Sequence, residues 1–221
     1  MSGPILICGC PGGGTSLVTK MLRYAGLFAG ADAGPREARK YHESNVFVES
    51  NRKFLDQTIG FPHAPKADWQ FVEHVEKSRI HLKLLLELVD RERLLDTFWG
   101  ENSRDSVWGW KDPRNSATAL IWRELFPAMR VLIIRRQWTK QMLGQPGKSE
   151  AGIWFRTQSD QKLRQMYYHP AGIEGLDRHE IDFDKLLTDP GELESMLQWC
   201  DLPTDPVEAF EPFLKQVGVE P

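Results

Sequence analysis

The residues best suited to chemistry come early: Gly9, Cys10, Pro11, Gly12, Gly13, Gly14, Thr15 and Ser16 in unbroken succession. An apolar run, Pro4 to Cys8, precedes them, and Leu17, Val18, Met21 and Leu22 follow at helical spacing. This order predicts a strand, a glycine loop and a helix start. Glycines let backbone N–H groups converge, and the helix dipole adds positive potential at the same point, so the segment reads as an anion cradle. Gly9 to Gly14 has the spacing of a Walker A loop, but Thr15 stands at the lysine position. Such a loop suits holding phosphate and suits ATP splitting poorly.

A second chemical block follows Ser106–Trp110 (SVWGW), which reads as a buried strand ending at Lys111, Asp112, Pro113 and Arg114. Arg130–Ile134 (RVLII) is the clearest strand in the chain and ends at Arg135 and Arg136. In open parallel sheets, ligands bind beyond the carboxyl ends of the strands. Gly9, Lys111 and Arg135 each follow a predicted strand, so three strand ends direct N–H groups or cations to one edge. A net charge of -3 gives no general attraction for nucleic acid or a membrane surface. A local anion site therefore needs this cluster of cations.

These groups must be positioned by one α/β core. The chain of 221 residues is expected to form a single domain over 1–221. Ala29–Arg36 reads as a loop, and Ser44 as the cap of a helix that buries Phe47, Phe54, Leu55 and Ile59. Gly60–Lys66 breaks the pattern, and a long helix is expected from about Gln70 to Phe98, with Ile80, Leu84 and Leu88 at fourfold spacing. Helices are expected again over Ala117–Phe126 and Ile153–Tyr168, with a short strand over His179–Phe183. Asp189, Pro190 and Glu192 spell a capping box with proline at the first helical position. Residues beyond Leu202 are expected to wrap the surface.

Cys8, Cys10 and Cys200 make neither a disulfide framework nor a metal set, and a reducing, cytoplasmic setting is the default expectation. Cys8 reads as core, while Cys10 at a helix start has the position of a reactive thiol. No run approaches the length of a membrane span, and no signal-type segment opens the chain. Gly144–Ser149 (GQPGKS) spells part of a P-loop without a preceding strand and reads as a connection.

Taken together, the motifs resemble those of the sulfotransferases that use 3′-phosphoadenosine 5′-phosphosulfate (PAPS). Gly12–Ser16 (GGGTS) is similar to that family's 5′-phosphosulfate loop. Lys40–Glu43 followed by FVESNRKFLD is similar to an aromatic–Glu segment and its helix in bacterial members. Trp108–Arg114 (WGWKDPR) matches a Lys-Asp-Pro-Arg block, Phe126–Arg135 a strand whose arginine binds the 3′-phosphate, and Ile181–Pro190 a C-terminal signature. The resemblance covers most of the chain and implies a three-layer, P-loop-NTPase-like α/β fold, with a central parallel sheet flanked by helices.

It further implies sulfuryl transfer from PAPS to a hydroxyl or amine of a small-molecule or glycan acceptor, with PAP as product and no metal required. Pro11, Gly12, Gly13, Gly14, Thr15, Ser16, Arg114 and Arg135 would then hold the donor. Lys111 would stabilise charge on the bridging leaving oxygen. Glu43, at the family's loop glutamate, and His42 beside it are the two candidates for the base on the acceptor. Two positions depart from the family pattern: Gly12 replaces the loop's basic residue, and Leu143 replaces a serine eight residues past Arg135. They leave two alternatives, a catalytically impaired nucleotide- or partner-binding domain on the same scaffold and, behind it, a P-loop kinase. Tyr41, Phe61, His63 and Trp69 are candidates to line an acceptor cleft, and Trp108 and Trp110 read as strand packing.

Overall fold

The structure, a computed structural model, describes residues 3–10, 12–34, 42–59, 83, 85–137, 167–170 and 173–203. The element order is β1 (Ile5–Gly9), α1 (Thr15–Tyr24), α2 (Asn45–Ile59), α3 (Arg91–Trp99), β2 (Gly109–Lys111), α4 (Asn115–Leu125), β3 (Arg130–Arg135), β4 (Arg178–Asp182), α5 (Phe183–Leu186) and α6 (Pro190–Trp199). Four parallel strands pair in the order β2-β1-β3-β4. Strand β1 is buried throughout, as expected for an apolar run in the middle of a parallel sheet.

Alternation along the strands divides the core into two layers. Leu6, Cys8, Val131 and Ile133 face one side with Trp110, where α2, α3 and α4 contribute Phe47, Phe54, Phe98, Trp99 and Trp122. Phe47 stacks on Trp110 with ring centroids 3.9 Å apart and planes 10° from parallel. Ile5, Ile7, Leu132, Ile134 and Ile181 face the other side, against Val18, Met21 and Leu22 of α1 and Leu193, Met196 and Leu197 of α6. The result is the expected three-layer α/β arrangement, and Trp110 is a core residue as read.

Several boundaries differ from the sequence reading. The second strand is Gly109–Lys111 rather than 106–110, because β1 begins opposite Gly109, at Ile5. Upstream of it, Trp108 pairs in a single bridge with Phe28. The helix expected to run unbroken to Phe98 is interrupted just before Arg91. Leu88 N–H and Val89 N–H bond back three residues, to Leu85 O and Leu86 O, and the Asp90 side chain then accepts from Arg93 N–H and restarts the helix as α3. Leu88, one of the fourfold-spaced residues, is 39% exposed. The sequence segments expected as helix over 70–82 and 153–166, the connection 144–149 and the chain beyond 203 lie outside the described residues.

Two helix starts also use different partners. At α2, Val46 N–H donates to Asp32 Oδ2 at 3.0 Å, so the side-chain cap comes from the 29–34 loop, while Ser44 accepts from Val48 N–H through its carbonyl. At α6, Asp189 accepts from Gly191 N–H and Pro190 occupies the first turn, as read. Glu192, however, accepts from Asp182 N–H at 3.2 Å, which fastens α6 to the end of β4 instead of closing a capping box.

Candidate donor and transfer site

The glycine segment lies where β1, flanked on both sides by strands, gives way to α1. Gly14 precedes α1 with φ +89°, a conformation that favours glycine, and has no side chain to cap the first turn. A Cβ at Gly14 would come within 2.2 Å of the Phe183 ring, and one at Gly9 within 2.6 Å of Thr15 Cγ2. The loop is thus closed down onto its neighbours to a degree only glycine permits. Gly13 N–H turns inward to Cys10 O at 2.8 Å, and Leu17 N–H and Val18 N–H both bond back to Gly14 O, so the first turn of α1 closes on the glycine itself. Pro11 lies outside the described residues.

Lys111, the last residue of β2, is only 4% exposed, yet its Nζ donates to Ser16 Oγ at 3.1 Å and to Glu43 Oε1 at 2.5 Å. Three predicted site residues from β2, the first turn of α1 and the approach to α2 therefore meet at one point. They are separated by 95 and 68 positions in sequence, so tertiary packing, not local sequence, brings them together.

His42, adjacent in sequence, goes elsewhere. It is 1% exposed, and its Nδ1 lies 2.9 Å from Arg23 Nη1. A guanidinium only donates, so it occupies the Nδ1 lone pair, and that nitrogen cannot take a proton while the bond holds. Arg23 also donates to Ala33 O and to Gly34 O, tying His42 to the 29–34 loop.

Arg114 stays at the same sheet edge but faces its own block: its Nη1 pairs with Asp112 Oδ2 at 2.8 Å, and its N–H donates to Asp112 Oδ1. Asp112 is buried, and burial pushes its carboxyl above the usual carboxylate range against the opposing pull of Arg114. A buried network steadies it. Asn51 Nδ2 donates to Asp112 Oδ2 at 3.1 Å and to Asn115 Oδ1 at 3.0 Å, while Asn51 Oδ1 accepts from Thr118 Oγ1 and Trp122 Nε1. Asn115 Nδ2 in turn donates to Ile7 O on β1 and to Trp110 O on β2. Asn51 and Asn115 escaped the sequence reading. The available signal was a lone amide within the apolar stripe Phe47, Phe54 and Leu55.

Arg135 closes β3 with a side chain 39% exposed, its Nη2 2.8 Å from Glu180 Oε2. It lines an open cavity of about 640 Å³ with Arg136, Tyr168, Asp184 and Lys185. Lys111 does not line this cavity. The two sides are linked through the glycine segment: Ser16 touches Lys111, and Gly12 O accepts from Arg136 Nη1 at 3.1 Å. Leu143, Tyr41, Phe61, His63 and Trp69 lie outside the described residues.

Cys10 is buried rather than presented at the loop surface, and Cys8 is core as read. Among the described residues, no three His, Cys, Asp or Glu side chains gather as a metal set, and no helix is long and apolar enough to cross a membrane.

The chain aligns over 98% of its length with a sulfotransferase of Mycobacterium avium, covering 68% of that chain at 15% identity and a TM-score of 0.50. It aligns over the same share with a sulfotransferase of Mycobacterium tuberculosis H37Rv, covering 72% of that chain at 17% identity and a TM-score of 0.51. At these identities the likeness is one of fold. No curated protein matches the chain. The model of the sulfotransferase family matches residues 4–206, nearly the whole sequence. By that match, this chain belongs to the sulfotransferase family.

Proposed function

We propose that the chain moves a sulfuryl group from PAPS to a hydroxyl or amine of a small-molecule or glycan acceptor. The observation that carries this reading is the meeting of Lys111 Nζ with Ser16 Oγ and Glu43 Oε1 at the mouth of the glycine cradle. Residues and donor suit each other: a loop whose Gly9, Gly13 and Gly14 leave no room for a Cβ, a side-chain-free start to α1 and strand-end cations on either side fit an adenosine nucleotide with anions at both ends.

PAPS supplies the sulfuryl group and, as it departs, a phosphate oxygen that gathers negative charge. The chain's own residues act around that oxygen. The open N–H groups of α1, with Thr15 and Ser16, orient the 5′ end, and Lys111 stands beside them to neutralise the developing charge. Glu43 is the group positioned to take the acceptor proton, since it is a carboxylate beside that lysine; His42 is committed to Arg23. Arg135, on the other side of the loop, holds the 3′-phosphate, and Arg114 orients the acceptor or the phosphate from the Lys-Asp-Pro-Arg block.

Calorimetry with PAP tests the donor site. The intact chain is expected to bind PAP, and Arg135→Ala to bind it about tenfold or more weakly, the cost of losing one charged hydrogen bond. An intact chain that ignores PAP defeats the reading. Transfer of labelled sulfate from PAPS to a panel of acceptors then separates turnover from binding alone. The absence of any basic residue between Gly9 and Ser16 favours the second of these, a nucleotide-binding member without turnover, if no acceptor is labelled.

A further inference from the structure

No residue of the glycine segment from Gly9 to Ser16 carries a positive charge, yet the structure brings a guanidinium to it from another element. Arg136, the first residue past β3, donates through Nη1 to Gly12 O at 3.1 Å. Its Nε lies 3.5 Å from Asp184 Oδ1, and its guanidinium carbon lies 4.9 Å from the centre of the Phe183 ring. Phe183 is the same ring that leaves no room for a Cβ at Gly14. Arg136 is therefore gripped on three sides, by a loop carbonyl, a carboxylate and an aromatic face. Its backbone is held too, since Tyr168 Oη lies 3.4 Å from Arg136 N and 3.2 Å from Arg136 O.

We propose that Arg136 is a positioning residue for the 5′-phosphate end of the donor: it fixes the carbonyl of Gly12 and brings to the glycine segment the charge that the segment lacks. The proposal rests on the donor reading above and deepens it. A planar guanidinium suits this task better than an ammonium, because it stacks on Phe183 while retaining several N–H donors in a fixed fork. Held by Asp184 and Phe183, it gives up little freedom when an anion arrives. The two adjacent arginines thereby divide the work, Arg136 toward the glycine segment and Arg135 toward the far phosphate. The Phe183–Asp184 pair at the start of α5 then has a reason to pack against a loop that belongs to β1 and α1.

The division of labour is testable with half-ligands. Affinities for PAP, adenosine 5′-monophosphate and adenosine 3′-monophosphate are measured by calorimetry or by competition with PAP, for the intact chain, Arg136→Ala, Arg136→Lys and Arg135→Ala. Arg136→Ala is expected to weaken PAP and the 5′-monophosphate about tenfold or more while changing the 3′-monophosphate less than about twofold. Arg135→Ala is expected to do the reverse, and Arg136→Lys to recover part of the loss, since it restores charge without the fork. Asp184→Asn, which leaves Arg136 in place and removes its carboxylate, is expected to move the 5′-monophosphate in the same direction by a smaller factor. Because Arg136→Lys and Asp184→Asn keep the side chain's bulk, they report even if Arg136→Ala unfolds. Equal weakening of both monophosphates, no weakening of either, or an intact chain that binds PAP without binding the 5′-monophosphate overturns the inference while leaving the donor reading standing. An intact chain that binds none of the three overturns both.

Discussion

Lys111 has two partners at once, a hydroxyl of the loop helix and a carboxylate from the approach to α2, and it is 4% exposed where the Arg135 side chain is 39% exposed. A lysine that neutralises charge appearing only during transfer contributes little to holding the donor beforehand. Lys111→Ala is therefore expected to lower turnover about 10²-fold or more while changing PAP affinity far less. Glu43→Gln should likewise depress turnover with PAP affinity retained, and His42→Ala should lower thermal stability more than turnover. Steady-state kinetics beside PAP calorimetry checks all three, and unchanged turnover in a folded Lys111→Ala protein removes that residue from the mechanism. Lys111, Ser16 and Arg135 were legible in the sequence because each sits at the end of an apolar strand or just after a glycine loop. Asn51 was not, and Arg136 was legible as a strand-end cation but not as a partner of the glycine segment. Asn51 matters through partners 61 to 71 positions away, and Arg136 through a carbonyl 124 positions away. No local pattern encodes such pairs.

At the scale of elements, the helix starts divide by whether a side chain caps them. Helices α3 and α6 are capped by their own aspartates, Asp90 and Asp189, and α2 borrows Asp32. Helix α1 begins at a glycine that offers no side chain. A capped start spends its donors on stability, whereas the starts of α1 and α4 have no side-chain cap. Asp189→Ala is accordingly expected to cost about 1 kcal/mol of unfolding free energy, read by urea denaturation, with PAP affinity unchanged. A loss of PAP affinity in that variant would tie α6 to the donor site and contradict the division. The cap at Asp189 was legible because Asp-Pro-Gly-Glu is a local signal. The break before α3 was not, since the fourfold spacing of Ile80, Leu84 and Leu88 runs right up to it and the apolar Leu94 and Leu95 follow soon after. A short turn and a capping aspartate override the period there, and they leave Leu88 exposed.

At the scale of the whole molecule, the three cysteines sit in three different places of the fold. Cys8 lies on the central strand, with β3 paired opposite it; Cys10 lies where that strand meets the glycine segment; Cys200 ends α6. All three are buried, and burial pushes the thiols of Cys8 and Cys200 up to about 12, so almost none of either is the reactive thiolate at neutral pH. Modification by a thiol reagent must therefore await opening of the structure. Cys8 requires separation of the sheet itself, which is global unfolding, whereas Cys200 requires only release of α6. Peptide-resolved labelling in rising urea is expected to give Cys8 the slowest rate and Cys200 a faster one. A ligand that binds only the folded state reduces the open population by the factor 1 + [L]/Kd, so PAP at about 100 times its Kd should slow Cys8 about 100-fold. If PAP binds by calorimetry yet leaves Cys8 labelling unchanged, then Cys8 is reached by a local opening that does not disturb the donor site. The central strand would not then be the cooperative heart of this fold.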